Sequence, residues 1–113
     1  MRNVLILAIL AGCGTDPDPR DPTFEVVAQQ ILAPTCGQVQ CHSTTTRVKG
    51  FAFDTPEAAR ASLLDMDARR GRNSELYEVL TDDGGDRMPP DSPLNQQDLD
   101  LITAWLDMGA PGL

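Results

Sequence analysis

The sequence predicts a small, all-α fold. Three observations lead there. Apolar residues recur at helical spacing in separate stretches. Those stretches begin at cap residues, twice with proline following. Between them lie polar, glycine- and proline-bearing loops. At 113 residues the chain is long enough for one small domain.

The N-terminus reads as an export signal. Arg2 supplies a positive start, and Val4 to Ala11 is an apolar run too short to span a bilayer. The run ends in Leu10-Ala11-Gly12-Cys13, which resembles a bacterial lipobox. That likeness implies a signal peptide over 1–12, cleavage before Cys13 and lipidation of its thiol. Residues 13–21 follow as a lipidated, flexible tether, rich in proline and aspartate and without an apolar anchor. The expected domain is 22–113.

The first helix is expected from Asp21-Pro22, a cap followed by proline at the first helical position. Phe24, Val27, Ile31 and Leu32 share a face, and Pro34 is expected to stop it. Thr55-Pro56 opens a second helix running to about Leu64, with Ala58, Ala61 and Leu64 as its inner face. Asn73-Ser74 caps a third, with Glu75 in its first turn and Leu76, Tyr77 and Leu80 as its buried stripe. The last helix has Asn95 as N-cap and Asp98 in the reciprocal position, with Leu94 and Leu99 spaced as a hydrophobic staple. Leu99, Ile102 and Leu106 share its face beside Trp105, and Gly109 and Pro111 end it. This helix is expected to pack across the first, Phe24 against Trp105.

The formal net charge is −8, and −9 without the segment that carries Arg2. Nucleic-acid binding needs a basic face, so the charge argues against it. Aromatic content is only 4%, and a domain of this size often depends on a staple or cofactor.

Chemistry concentrates in Cys36-Gly37-Gln38-Val39-Gln40-Cys41-His42, which holds two of the three cysteines and the single histidine. Two thiols followed at once by histidine is the pattern that captures haem, through two thioethers and an iron–imidazole bond. The spacing here is C-x4-C-H rather than the usual C-x2-C-H. A Cys36–Cys41 disulfide with His42 beside it is the competing reading. Zinc would lack a fourth nitrogen or sulfur ligand, and the spacing is wrong for C-x-x-C thiol redox chemistry. Downstream, Arg87-Met88-Pro89-Pro90 offers a thioether in a stiff loop, the residue before proline being driven to extended backbone. Met66 and Met108 are the rival sulfurs. Phe51 and Phe53 lie on one side of an extended segment, available to a core or to a haem edge.

Taken together, the Cys/Cys-His loop, the aromatic pair, Ser74-Glu75-Leu76-Tyr77, Met88-Pro89-Pro90 and Trp105-Leu106-Asp107-Met108-Gly109-Ala110 resemble the planctomycete-type cytochrome c domain. That domain is a divergent relative of class I cytochromes c, and the likeness covers about residues 23–111. It implies a cytochrome c-like helical fold around one covalent haem c. Cys36 and Cys41 would be its anchors, and His42 and Met88 the axial ligands of the iron. It implies one-electron transfer with redox partners of the cell envelope by a monomer facing the periplasm, membrane-bound through lipid, and no enzymatic activity. The alternative is a disulfide-stapled envelope lipoprotein with the same scaffold and no haem, acting as an interaction module.

Overall fold

The computed structural model describes residues 17–113, so the signal segment 1–12 and Cys13 lie outside the described residues. All regular structure in the described part is helical, with no strand. Helix α1 covers residues 24–36, α2 is Pro56–Asp65, α3 is Glu75–Thr81 and α4 is Gln96–Asp107. Two 3-10 turns, Val48–Gly50 and Ala68–Asn73, complete the order. The fold class is therefore the one the sequence predicts.

Helix α1 starts and continues differently from expectation. Asp21 and Pro22 are not helical; Thr23 does the capping, its Oγ1 accepting from Val26 N at 3.2 Å. Val26–Leu32 is wound as π-helix, and Ala33 N donates to Ala28 O, five residues back. The winding tightens over Ala33–Cys36, so Pro34 stands in the first turn of a new α-helical segment. A proline is tolerated there because its missing N–H is not required, and it does not stop the helix. The chain thus reaches Cys36 still helical.

The inner face of α2 also differs. Ala59, Ser62 and Leu63 are buried, while Leu64 is exposed. The helix is turned so that Ser62 faces inward, because its hydroxyl serves a backbone with no other partner on that side. Ser62 Oγ accepts from Ala52 N at 2.9 Å and donates to Ala52 O at 3.0 Å. One side chain therefore pins the extended Phe51–Phe53 segment to α2. The predicted caps hold elsewhere. Thr55, Ser74 and Asn95 accept from Ala58, Tyr77 and Asp98 N–H groups respectively.

The core joins Phe24, Val27, Ile31 and Leu32 of α1 to Leu63, Leu76, Leu80 and the α4 residues Leu101, Ile102, Trp105 and Leu106. On α4 the stripe is centred on Leu101 rather than Leu99, which is half-buried. Trp105 is fully buried, and its Nε1 donates to Pro111 O at 3.0 Å, folding the chain's end back. Gly112, at φ +92°, lies against Phe24, where a Cβ would sit 3.0 Å from the Phe24 Cβ. Of the expected tether, residues 17–21 are described, and there Arg20 bonds both Asp18 and Asp98 at 2.7 Å. No helix of the described residues is long and apolar enough to cross a membrane.

Ser62→Ala leaves both the N–H and the C=O of Ala52 without a partner in a buried position. We expect a loss of about 2 kcal/mol in denaturant unfolding. A change within about 0.5 kcal/mol would show that the Ala52 backbone finds other partners.

Candidate functional site

The site is built from the end of α1 outward. Cys36 occupies the last helical position, and Gly37 takes the C-cap. Gly37 is required by closeness: a Cβ there would lie 2.7 Å from Ala33 O and 2.9 Å from Asp54 N. The loop then folds on itself. Cys41 N donates to Gln38 O at 2.9 Å, closing a turn, and Val48 N donates to Cys41 O at 3.1 Å. His42 is held at both ends of its backbone. Its N donates to Cys36 O at 3.0 Å, and its O accepts from Phe53 N at 2.7 Å. Between the cysteines, Gln38, Val39 and Gln40 are all exposed. The long spacing is absorbed as an outward bulge while Cys36 and His42 stay tied together.

The imidazole of His42 sits between two aromatic rings. Its centroid is 5.7 Å from Phe53, edge-on at 76°, and 6.3 Å from Phe51. Nδ1 is sealed from solvent with no hydrogen-bond partner among the described residues. Ligating histidines usually anchor the second nitrogen on a carbonyl or carboxylate. Here the two phenylalanines set the ring instead. Phe51 and Phe53 thus belong both to the core's edge and to the site.

Two clefts meet at this point. The first, of 520 Å³, is lined by Cys36, His42, Phe51, Phe53, Met66 and Met88, with Leu32, Leu76, Val79 and Leu80 as its apolar wall. Glu75, Glu78, Asp82, Asp86 and Lys49 also line it. The second, of 680 Å³, is lined by Cys36, Cys41, His42 and Met88, together with Pro34, Pro89, Pro90 and Leu94. Cys36, His42 and Met88 are therefore common to both. Met88 is positioned by its N–H, which donates to Val79 O at 2.8 Å, tying its loop to α3. Of its rivals, Met108 is exposed and lines neither cleft, whereas Met66 is buried and lines the first.

Cys36 and Cys41 are both free thiols. Burial pushes the Cys36 thiol up; a contact with Thr35 Oγ1 at 3.5 Å opposes this, and the nearby Cys41 adds to it. Asp54 braces the loop from outside, accepting from Thr44 N and Oγ1, each at 2.9 Å. The Thr44 backbone bond is the main cause of its lowered pKa. No group of three or more His, Cys, Asp or Glu side chains among the described residues is arranged to hold a bare metal ion. A haem asks for less, because its ring supplies four nitrogens to the iron. A protein need then add only one imidazole, one sulfur and an apolar slot. The donor set and the apolar wall fit that demand.

The sequence missed the apolar wall from Leu32, Leu76 and Leu80, which it assigned to the core alone. It also missed Gly37 and Ser62, whose roles arise from backbone contacts distant along the chain. No periodic or motif signal marks either residue.

In reduced, haem-free protein at neutral pH, iodoacetamide should label the half-exposed Cys41 before Cys36, which burial keeps as the unreactive thiol. Peptide mapping of partially labelled protein checks this. Labelling of Cys36 as fast as in denatured protein would contradict the buried position.

No family model, curated protein or solved structure matches the chain.

Proposed function

We propose that this chain is a monohaem c-type cytochrome that transfers single electrons in the cell envelope, held to a membrane by lipid on Cys13. The observation that carries the reading is the convergence of Cys36, His42 and Met88 on the same two clefts, with Cys41 on the second. Two cysteines followed at once by histidine, here with the longer C-x4-C-H spacing, and a thioether from a distant loop support covalent haem attachment with His/Met ligation.

The haem supplies one-electron chemistry, its iron alternating between ferric and ferrous. The chain does the rest. Cys36 and Cys41 would hold the haem covalently, each thiol adding S–H across one vinyl group, sulfur to one carbon and hydrogen to its neighbour, with no net oxidation. His42 would hold the iron through its imidazole, whose ring lies between Phe51 and Phe53. Met88 would supply a thioether sulfur, a weak donor that favours the reduced state and raises the potential. Leu32, Leu76, Val79 and Leu80, which line the first cleft, would exclude water from a bound haem. Were both His42 and Met88 to bind the iron, no site for a substrate would be left, which favours electron transfer over catalysis.

Axial variants test this in protein matured in its native host. His42→Ala should abolish the low-spin haem spectrum. Met88→Ala should lower the midpoint potential and let imidazole or cyanide bind, while Met66→Ala should keep the low-spin spectrum and lose stability by about 2–5 kcal/mol, as a buried methionine does. An unchanged spectrum and potential in Met88→Ala would remove Met88 from the site. A colourless wild-type protein with Cys36 joined to Cys41 would favour the haem-free lipoprotein.

A further inference from the structure

We infer that Arg87 binds a propionate carboxylate of the haem, a role that rests on the cytochrome reading above. Among the described residues, two buried side-chain nitrogens are sealed from solvent and lack a hydrogen-bond partner: His42 Nδ1 and Arg87 Nε. Both belong to the proposed site, one within a ligand and the other a single residue from Met88. A sealed donor without an acceptor is costly, the more so when it carries charge. Such an atom calls for a partner that the protein itself does not supply.

The chain sets Arg87 where the two clefts meet. Gly85, Asp86 and Met88 line the first cleft, and Met88, Pro89 and Pro90 line the second. Arg87 lines neither; it is half-buried between stretches that form the wall of each. The bond from Met88 N to Val79 O, at 2.8 Å, fixes this stretch against α3. Arg87 N also reaches Gly84 O, at 3.5 Å.

The other cations of the described residues are spent elsewhere. Arg20 is paired with Asp18 and Asp98, and Arg72 with Asp107. Arg60 and Arg69 donate to the carbonyls of Gly112 and Leu113. Arg47 is drawn to Asp54. Arg70 is exposed on the Ala68–Asn73 turn, where water serves it. Lys49 lines the first cleft, but Glu75, Glu78, Asp82 and Asp86 share that lining and outnumber it. Arg87 forms no ion pair among the described residues, even with the adjacent Asp86. A haem carries two propionate carboxylates, here entering a site whose first cleft already holds four carboxylates. Burying a carboxylate there without a cation is costly, and a guanidinium presents the paired N–H groups that a carboxylate accepts. Arg87 thus answers the charge of the cofactor from the loop that also carries Met88.

The test compares wild type, Arg87→Gln and Arg87→Lys, each matured with haem in the native host. The readings are the midpoint potential, the resonance Raman band of propionate bending, and binding of added imidazole. Loss of a cation beside the haem favours ferric iron, so Arg87→Gln should lower the potential and shift the propionate band. Imidazole should still fail to bind, because Met88 keeps its place. Arg87→Lys retains the charge but not the fork, so its potential should stay near that of the wild type while the band shifts. Should Arg87→Gln take up no haem, Arg87→Lys decides alone. An unmoved potential and band in Arg87→Gln, or an unmoved band in Arg87→Lys, would overturn the inference. So would imidazole binding to Arg87→Gln, which would show that Arg87 acts only through Met88. A colourless wild type would overturn the cytochrome reading and this inference with it, whereas a coloured wild type with unmoved variants overturns the inference alone.

Discussion

The backbone clamp on His42 is the constraint on which the site depends. Its N–H is fixed by Cys36 and its carbonyl by Phe53, so imidazole, thiol and aromatic rings are placed as one unit. Each end of the clamp is anchored in the core. Cys36 is the last residue of α1, whose inner face carries Val27, Ile31 and Leu32 at 1% exposure or less. Phe53 follows Ala52, which Ser62 fastens to α2. Gly37 lets the two anchors approach, because only a missing Cβ allows Asp54 backbone so close to Ala33 O. Rigid elements thus hold a loop that would otherwise lose its order entropically.

The same apolar residues serve core and cleft. Leu32, Leu76, Leu80 and Met66 are buried in the helical core and also line the 520 Å³ cleft. A domain this small buries a limited share of its surface, and an open cleft in its centre forgoes packing contacts. A large apolar cofactor covalently held in that cleft would restore them. Under the proposed function, attachment and folding are therefore coupled: the ring completes the core that positions its own ligands.

Local signals in the sequence proved sound where the chemistry is local. Thr55, Ser74 and Asn95 cap the helices they precede, since a short oxygen-bearing side chain reaches an N–H three residues on. Signals failed where the outcome depended on partners far along the chain. Pro34 reads as a stop, but the π-wound turn before it shifts the hydrogen-bond register and accommodates the ring. Ala58, Ala61 and Leu64 read as the inner face of α2, but Ala52 is held by the Ser62 hydroxyl, and the buried face is Ala59, Ser62 and Leu63. At the site, the Cys36–His42 motif and Met88 were legible as residue types. Their shared cleft, the bulge at Gln38–Gln40 and the lack of a hydrogen-bond partner for His42 Nδ1 among the described residues were not, because all three follow from tertiary placement.

The most direct measurement of the central claim is the intact mass of the denatured protein purified from its native host, taken alongside its reduced-minus-oxidised visible spectrum. Covalent attachment through Cys36 and Cys41 predicts the mass of one haem retained after denaturation and a sharp low-spin α-band on reduction. A colourless protein lighter than the free dithiol by two hydrogens would contradict it, and would put a Cys36–Cys41 disulfide in place of the two thioethers.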